Sequence, residues 1–178
     1  MTRDPQDRGP SRNDPTPELT HLDARGQARM VDVGGKPVSV RTARARARVE
    51  LGAELRARFL GGGLRKGDGP AVARIAGIAA AKDTARLIPL CHAIPLDSVT
   101  VEIEAAADDE GALEIVSCAR SSWVTGVEME ALSAVSVAAL AVYDMCKAVR
   151  RDIRIGPIEL LEKTGGTRGD WRRDTSAG

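Results

Sequence analysis

Four short runs of reactive side chains interrupt otherwise Ala-, Val- and Leu-rich sequence: Lys66-Gly67-Asp68, Cys91-His92, Glu128-Met129-Glu130 and Asp144-Met145-Cys146-Lys147. Charges inside long apolar segments have to be paired, exposed in a pocket or placed at an interface. Asp144 and Lys147 are three residues apart, which puts them on one helical face. The pair is either a helix-stabilising ion pair or a carboxylate that holds a proton beside an amine able to bind phosphate. Glu130 and Asp144 are separated by about 40° around an ideal helix but roughly 21 Å along it, and Glu128 points nearly opposite to Asp144. If all three act on one substrate, a loop, a long substrate or another subunit must connect their environments.

The remaining groups divide between structural and chemical roles. Lys66-Gly67-Asp68 is an ordinary solvated turn or an ammonium brought near a substrate where glycine permits close approach. Adjacent side chains in an extended segment diverge, so Cys91 and His92 have independent roles: a packed thiol beside a structural imidazole, or a proton-transfer histidine. Arg41 is a solvated strand residue or a bidentate phosphate contact. Lys163, beside Gly165-Gly166, together with Lys66 and an arginine face of the first strand, would neutralise a polyphosphate without a Walker loop. Trp123 reads as an anchor ahead of a helix rather than a stacking platform. Cysteines 91, 118 and 146 and His21 form no compact ligand pattern, so no metal site is expected.

These groups need a scaffold. Residues 1–18, with four prolines, read as a disordered tail, and 170–178 as a flexible C-terminal one. Between Val40 and Leu51, Arg44, Arg46 and Arg48 alternate with Ala43, Ala45, Ala47 and Val49, the pattern of a strand. A short helix through Phe59 and Leu60 should stop at Gly61-Gly62-Gly63. Pro70 opens a longer helix whose expected apolar face is Val72, Ile75, Ile78 and Ala79, and Pro89 limits it. Val99-Val101-Ile103 and Leu113-Ile115 read as a hairpin across Asp108-Asp109-Glu110-Gly111. A long helix over about 127–149 and a strand over 153–161, disturbed at Gly156-Pro157, follow, with a loop from Lys163. The order strand, helices, strand, strand, helix, strand predicts an α+β domain, a predominantly antiparallel sheet covered by helices in a ferredoxin-like arrangement. There is no Rossmann or P-loop fingerprint.

Composition narrows the function. The chain has 178 residues, formal net charge +1 and only four aromatic residues (Phe59, Trp123, Tyr143, Trp171). That disfavours nucleic acid as a partner, since neither stacking surfaces nor general polyanion attraction is supplied. Three cysteines without a disulfide framework, no secretory stretch and no uninterrupted membrane-length segment give the expectation of a cytoplasmic protein without membrane partners.

In order along the chain, Leu19-Thr20-His21-Leu22-Asp23, Met30-Val31-Asp32-Val33, Lys66-Gly67-Asp68, 73–78 (ARIAGI), 87–92 (LIPLCH), 125–132 (TGVEMEAL) and 143–149 (YDMCKAV) resemble the cyclic pyranopterin monophosphate synthase family, molybdenum cofactor biosynthesis protein C. The likeness spans about 19–169, taken as one domain. It implies a ferredoxin-like subunit assembled from dimers into a hexamer, with the active site at a subunit interface. It further implies rearrangement of (8S)-3′,8-cyclo-7,8-dihydroguanosine 5′-triphosphate to cyclic pyranopterin monophosphate with release of pyrophosphate. By that resemblance Lys66, Asp144, Lys147 and His92 are catalytic, and Arg41, Cys91, His92, Glu128, Met129, Glu130 and Lys163 bind substrate. No cofactor is required, although a divalent ion on the substrate phosphates is compatible with the sequence. The chain departs from the family pattern at Ala93, Trp123, Val124 and residues 164–168. The competing reading is a non-catalytic scaffold or nucleotide-binding module that keeps the fold.

Overall fold

The computed structural model describes residues 27–167 and 169–174. The expected N-terminal tail, His21 and Arg168 lie outside them. The chain divides into two units, Met1–Val31 and Asp32–Gly178. In the first, Met30 is exposed. The second carries the sheet and helices: β1 (Ser39–Glu50), α1 (Ala53–Leu60), α2 (Gly69–Lys82), α3 (Thr84–Leu87), β2 (Ser98–Ala105), β3 (Ala112–Trp123), α4 (Glu128–Cys146), β4 (Arg154–Thr164) and β5 (Trp171–Arg172).

Antiparallel pairing gives the order β2-β3-β1-β4-β5, the ferredoxin-like arrangement with a short fifth strand added. Strand alternation sorts β1 as the sequence predicts. Ala43, Ala45, Ala47 and Val49 are buried beneath the helices, while Arg44, Arg46 and Arg48 point to the other face. There Arg44 pairs with Glu162, Arg46 with Glu159, and Arg48 with Asp108 and Asp109. The arginine face is thus consumed by acidic neighbours across the sheet. It does not join Lys66 in one cationic pocket, a correction to the sequence expectation.

With so few aromatics the core relies on small aliphatic residues and close approach. On α4, Ala131, Ala134, Val135, Ala138, Ala139 and Val142 are fully buried. The helix would suit a membrane span by length and composition, yet most of it is buried within this fold. Its partner α2 starts at Asp68, whose Oδ1 accepts from the Ala71 amide at 2.9 Å, with Pro70 in the first turn. Contrary to expectation, α2 does not bury Val72 and Ile75. Its buried side is Ala73, Gly77, Ala80 and Ala81, because only small side chains let it lie this close to α4. A Cβ built on Gly77 would stand 2.8 Å from the Ala134 carbonyl oxygen and 3.2 Å from Ala138 Cβ. Gly77→Val is therefore expected to destabilise the fold by about 1–3 kcal/mol through overpacking, read as a lower denaturation midpoint in urea.

Two boundaries differ from the sequence reading. Lys163 and Thr164 belong to β4 rather than to a loop, with Lys163 opposite Ala43. Trp171 and Arg172, assigned to a flexible tail, pair with Lys163 and Glu162, and the Arg172 guanidinium holds Glu162 at 2.9 Å. A two-residue strand gives too short a pattern to stand out from a polar tail.

Candidate active site

Helix α4 carries reactive groups at both ends. At its C-terminal end Asp144 is gripped by two lysines: Lys147 Nζ lies 2.6 Å from Oδ1 and Lys66 Nζ 3.0 Å from Oδ2. Lys66 also donates to the Asp144 carbonyl at 2.7 Å, one of the last carbonyls of the helix and otherwise without an intrahelical donor. The loop after Gly61-Gly62-Gly63 brings Lys66 across from α1, and Gly67, at φ +98°, turns the chain into the Asp68 cap.

The two ammonium groups, Lys147 first and then Lys66, hold the Asp144 carboxyl below the usual carboxylate range. Asp144 in turn raises Lys147. The lowered acid favours the folded cluster above the ordinary value of 3.8 and loses that effect as pH falls through the folded value. The raised amine acts from below 10.5 and is lost as pH rises through its folded value. Through neutrality Asp144 and Lys147 are both charged. The cluster has two cations and one anion, all part-exposed, an arrangement suited to receive phosphate oxygens.

At the N-terminal end the inner face of the sheet turns polar. Arg41 continues the buried row of Ala43 and Ala45, only 8% exposed, and its Nε donates to the Trp123 carbonyl at 3.1 Å. A side chain on Gly166 would run into this guanidinium, so glycine there keeps the backbone against Arg41. Lys163, inner-facing on β4, lies 3.6 Å from Glu128 in the first turn of α4. Met129 follows, half-buried. Glu130 is 3% exposed, and its Oε2 has no hydrogen-bond partner.

Burial, reinforced by the charge of Glu128, pushes the Glu130 carboxyl up to about 7. Burial first, and then the charge of Glu130, raise the Cys91 thiol. Glu130 is thus a buried acid poised near neutrality. Between pH 4.5 and about 7 the unfolded chain gives up this proton while the folded chain keeps it, so stability should fall as pH rises across that window. Glu130→Gln should flatten that slope, by about 3 kcal/mol at most, in denaturant titrations run from pH 4 to 8.

The structure therefore joins Lys66 to Asp144 and Lys147, and at the other end of α4 joins Lys163 to Glu128 beside the buried Glu130, with Arg41 further along the same inner face. His92 accompanies Cys91, half-buried on the same segment. It does not unite the two groups within one chain: 14 residues of helix, roughly 21 Å, lie between Glu130 and Asp144. Sequence reasoning missed Ser117 and Ser121, both fully buried on the inner face of β3. Their odd-numbered parity with Leu113 and Ile115 was the available signal. Among the described residues, no group of three or more His, Cys, Asp or Glu side chains could hold a metal.

A ferredoxin-like α+β chain with acid-base and cationic groups at both ends of one central helix is the class that fold and site define. Residues 30–166 match the model of the MoaC family, and the chain belongs to that family. It is 55% identical to the cyclic pyranopterin monophosphate synthase of Chloroflexus aurantiacus over 156 residues, 88% of this chain and 95% of that protein. The proteins of the same name from Thermomicrobium roseum and Chloroflexus aggregans are 56% identical over 157 residues and 53% over 161. These alignments cover 88% and 90% of this chain, and 94% and 96% of those proteins.

Proposed function

We propose that this chain is a cyclic pyranopterin monophosphate synthase, a lyase of molybdenum cofactor biosynthesis that converts (8S)-3′,8-cyclo-7,8-dihydroguanosine 5′-triphosphate to cyclic pyranopterin monophosphate and pyrophosphate. The observation that carries the reading is identity above half with proteins of that name over nearly their whole length. The chemistry asks for cations on a triphosphate, stabilisation of departing pyrophosphate, and proton transfer during ring opening and reclosure. Lys66 and Lys147 supply fixed positive charge beside Asp144, and Arg41 and Lys163 supply it at the opposite end. Glu130, protonated over part of the neutral range, can give a proton, and His92 can carry one.

We further propose that the working form is a homo-oligomer, a hexamer built from dimers, in which the C-terminal cluster of one chain meets the N-terminal cluster of another. Two observations support this. The clusters are too far apart on one helix to share a reacting atom. Val72, Ile75 and Leu140 are exposed, Ile75 by 67% and Leu140 by 58%, and Leu140 precedes Asp144 by one helical turn, so apolar surface adjoins the charged cluster.

The test is pyrophosphate release by the purified chain from the cyclised intermediate, with GTP as control. Release from the intermediate alone is expected. Binding of the intermediate without release would favour a nucleotide-binding scaffold.

A further inference from the structure

Two walls of chain over the inner face of β3 are joined by no regular pairing. One is the first turn of α4. The other is the segment 88–97, which carries Cys91-His92 and is irregular from Cys91 to Asp97. Two buried serine hydroxyls on β3, four residues apart and therefore on the same face, reach one wall each. Ser117 Oγ donates to the Ala131 carbonyl at 2.7 Å, the residue next to Glu130. Ser121 Oγ donates to the Pro95 carbonyl at 2.6 Å, and Ser121 is the cross-strand neighbour of Arg41. The segment is tied again just beyond, where the Asp97 amide donates to the Arg120 carbonyl and Ser122 Oγ donates to Asp97 Oδ2 at 2.8 Å. At its start the Cys91 amide turns back to the Ile88 carbonyl at 3.0 Å.

We propose that Ser121 is a positioning residue that holds the segment carrying Cys91-His92 on the inner face of the sheet, with Ser117 fixing the α4 wall from the same strand. An apolar side chain would be easier to bury at either position, since a hydroxyl without a partner is costly there. What the hydroxyl adds is direction: each bond fixes one carbonyl relative to the rigid middle strands of the sheet. The same row presents Arg41, so one strand register sets the guanidinium, the Cys91-His92 backbone and the Glu130 helix turn together. A displacement of about 1 Å in such an arrangement is enough to lower turnover by orders of magnitude.

The inference concerns the site of the proposed synthase, and its test has one readout that needs no turnover. Ser121→Ala is compared with wild type for the rate of Cys91 alkylation by iodoacetamide, followed by peptide mass spectrometry, with Cys118 as internal control. Freed from Pro95, the segment is expected to expose Cys91 and raise its rate about fivefold, with Cys118 unchanged. In the same protein kcat for pyrophosphate release should fall about tenfold with a smaller change in KM, at an oligomeric state and melting temperature close to wild type. Asp97→Ala, which removes a surface tie on the same segment, should move both readouts in the same direction and by less, and it serves if Ser121→Ala does not fold. Unchanged Cys91 reactivity in folded variants, or an activity loss that merely follows the unfolded fraction, overturns the proposal. If wild type shows no turnover, the synthase reading fails while the alkylation rates still decide whether Ser121 holds the segment.

Discussion

Lys66→Ala and Lys147→Ala are each expected to lower product formation from the cyclised triphosphate by at least about a hundredfold, with the circular dichroism spectrum and oligomeric state retained. Both ammonium groups converge on Asp144, and both are about half exposed, so their removal takes little from the core. What goes is a fixed cation at the place where phosphate charge must be met. The double variant should be little worse than either single one, because the three side chains act as one unit. Asp144→Asn should be damaging as well, since it leaves two lysines with no anion to orient them. Steady-state rates beside urea midpoints separate these outcomes from unfolding. A Lys66→Ala enzyme at wild-type kcat would remove the cluster from the mechanism.

Mixing differently inactivated chains should restore activity only when the two lesions lie at opposite ends of α4. Lys66→Ala chains coassembled with Glu130→Ala chains should regain about a quarter to half of total wild-type activity, since that share of interfaces then pairs an intact C-terminal cluster with an intact N-terminal one. Lys66→Ala with Lys147→Ala should regain almost none, because both lesions fall in the one cluster that a single chain supplies. Subunit exchange is verified by native mass spectrometry. Recovery in the second mixture and silence in the first would contradict the interfacial site.

Much of this was legible in the sequence for identifiable reasons. β1 shows its faces because Ala and Arg alternate from Ala43 to Arg48, and the spacing of Glu130 and Asp144 already placed them too far apart for one compact dyad. The acidic turn at 108–111 joins β2 to β3 as expected. What failed was reading size as burial. Val72 and Ile75 are the large apolar residues of α2, yet Gly77 and Ala73 face α4, since the helices approach more closely than branched side chains allow. Arginine was misread in the same way. Arg44, Arg46 and Arg48 looked available for phosphate, but their partners Glu162 and Glu159 on β4 and Asp108 in the β2-β3 turn are distant in sequence and emerge only with the register. Arg41 escaped that fate because its odd number puts it on the inner face. Ser117 and Ser121 gave no motif at all, since a serine's role depends on which carbonyl it meets.

The synthase chemistry is tested by a single turnover with the purified protein in excess over authentic (8S)-3′,8-cyclo-7,8-dihydroguanosine 5′-triphosphate, quenched and resolved by mass spectrometry. Loss of the intermediate is expected, with matching appearance of one cyclic pyranopterin monophosphate and one pyrophosphate, without any added oxidant or reductant. Intermediate recovered intact from a correctly assembled protein, under conditions in which the Chloroflexus aurantiacus relative reacts, would contradict it.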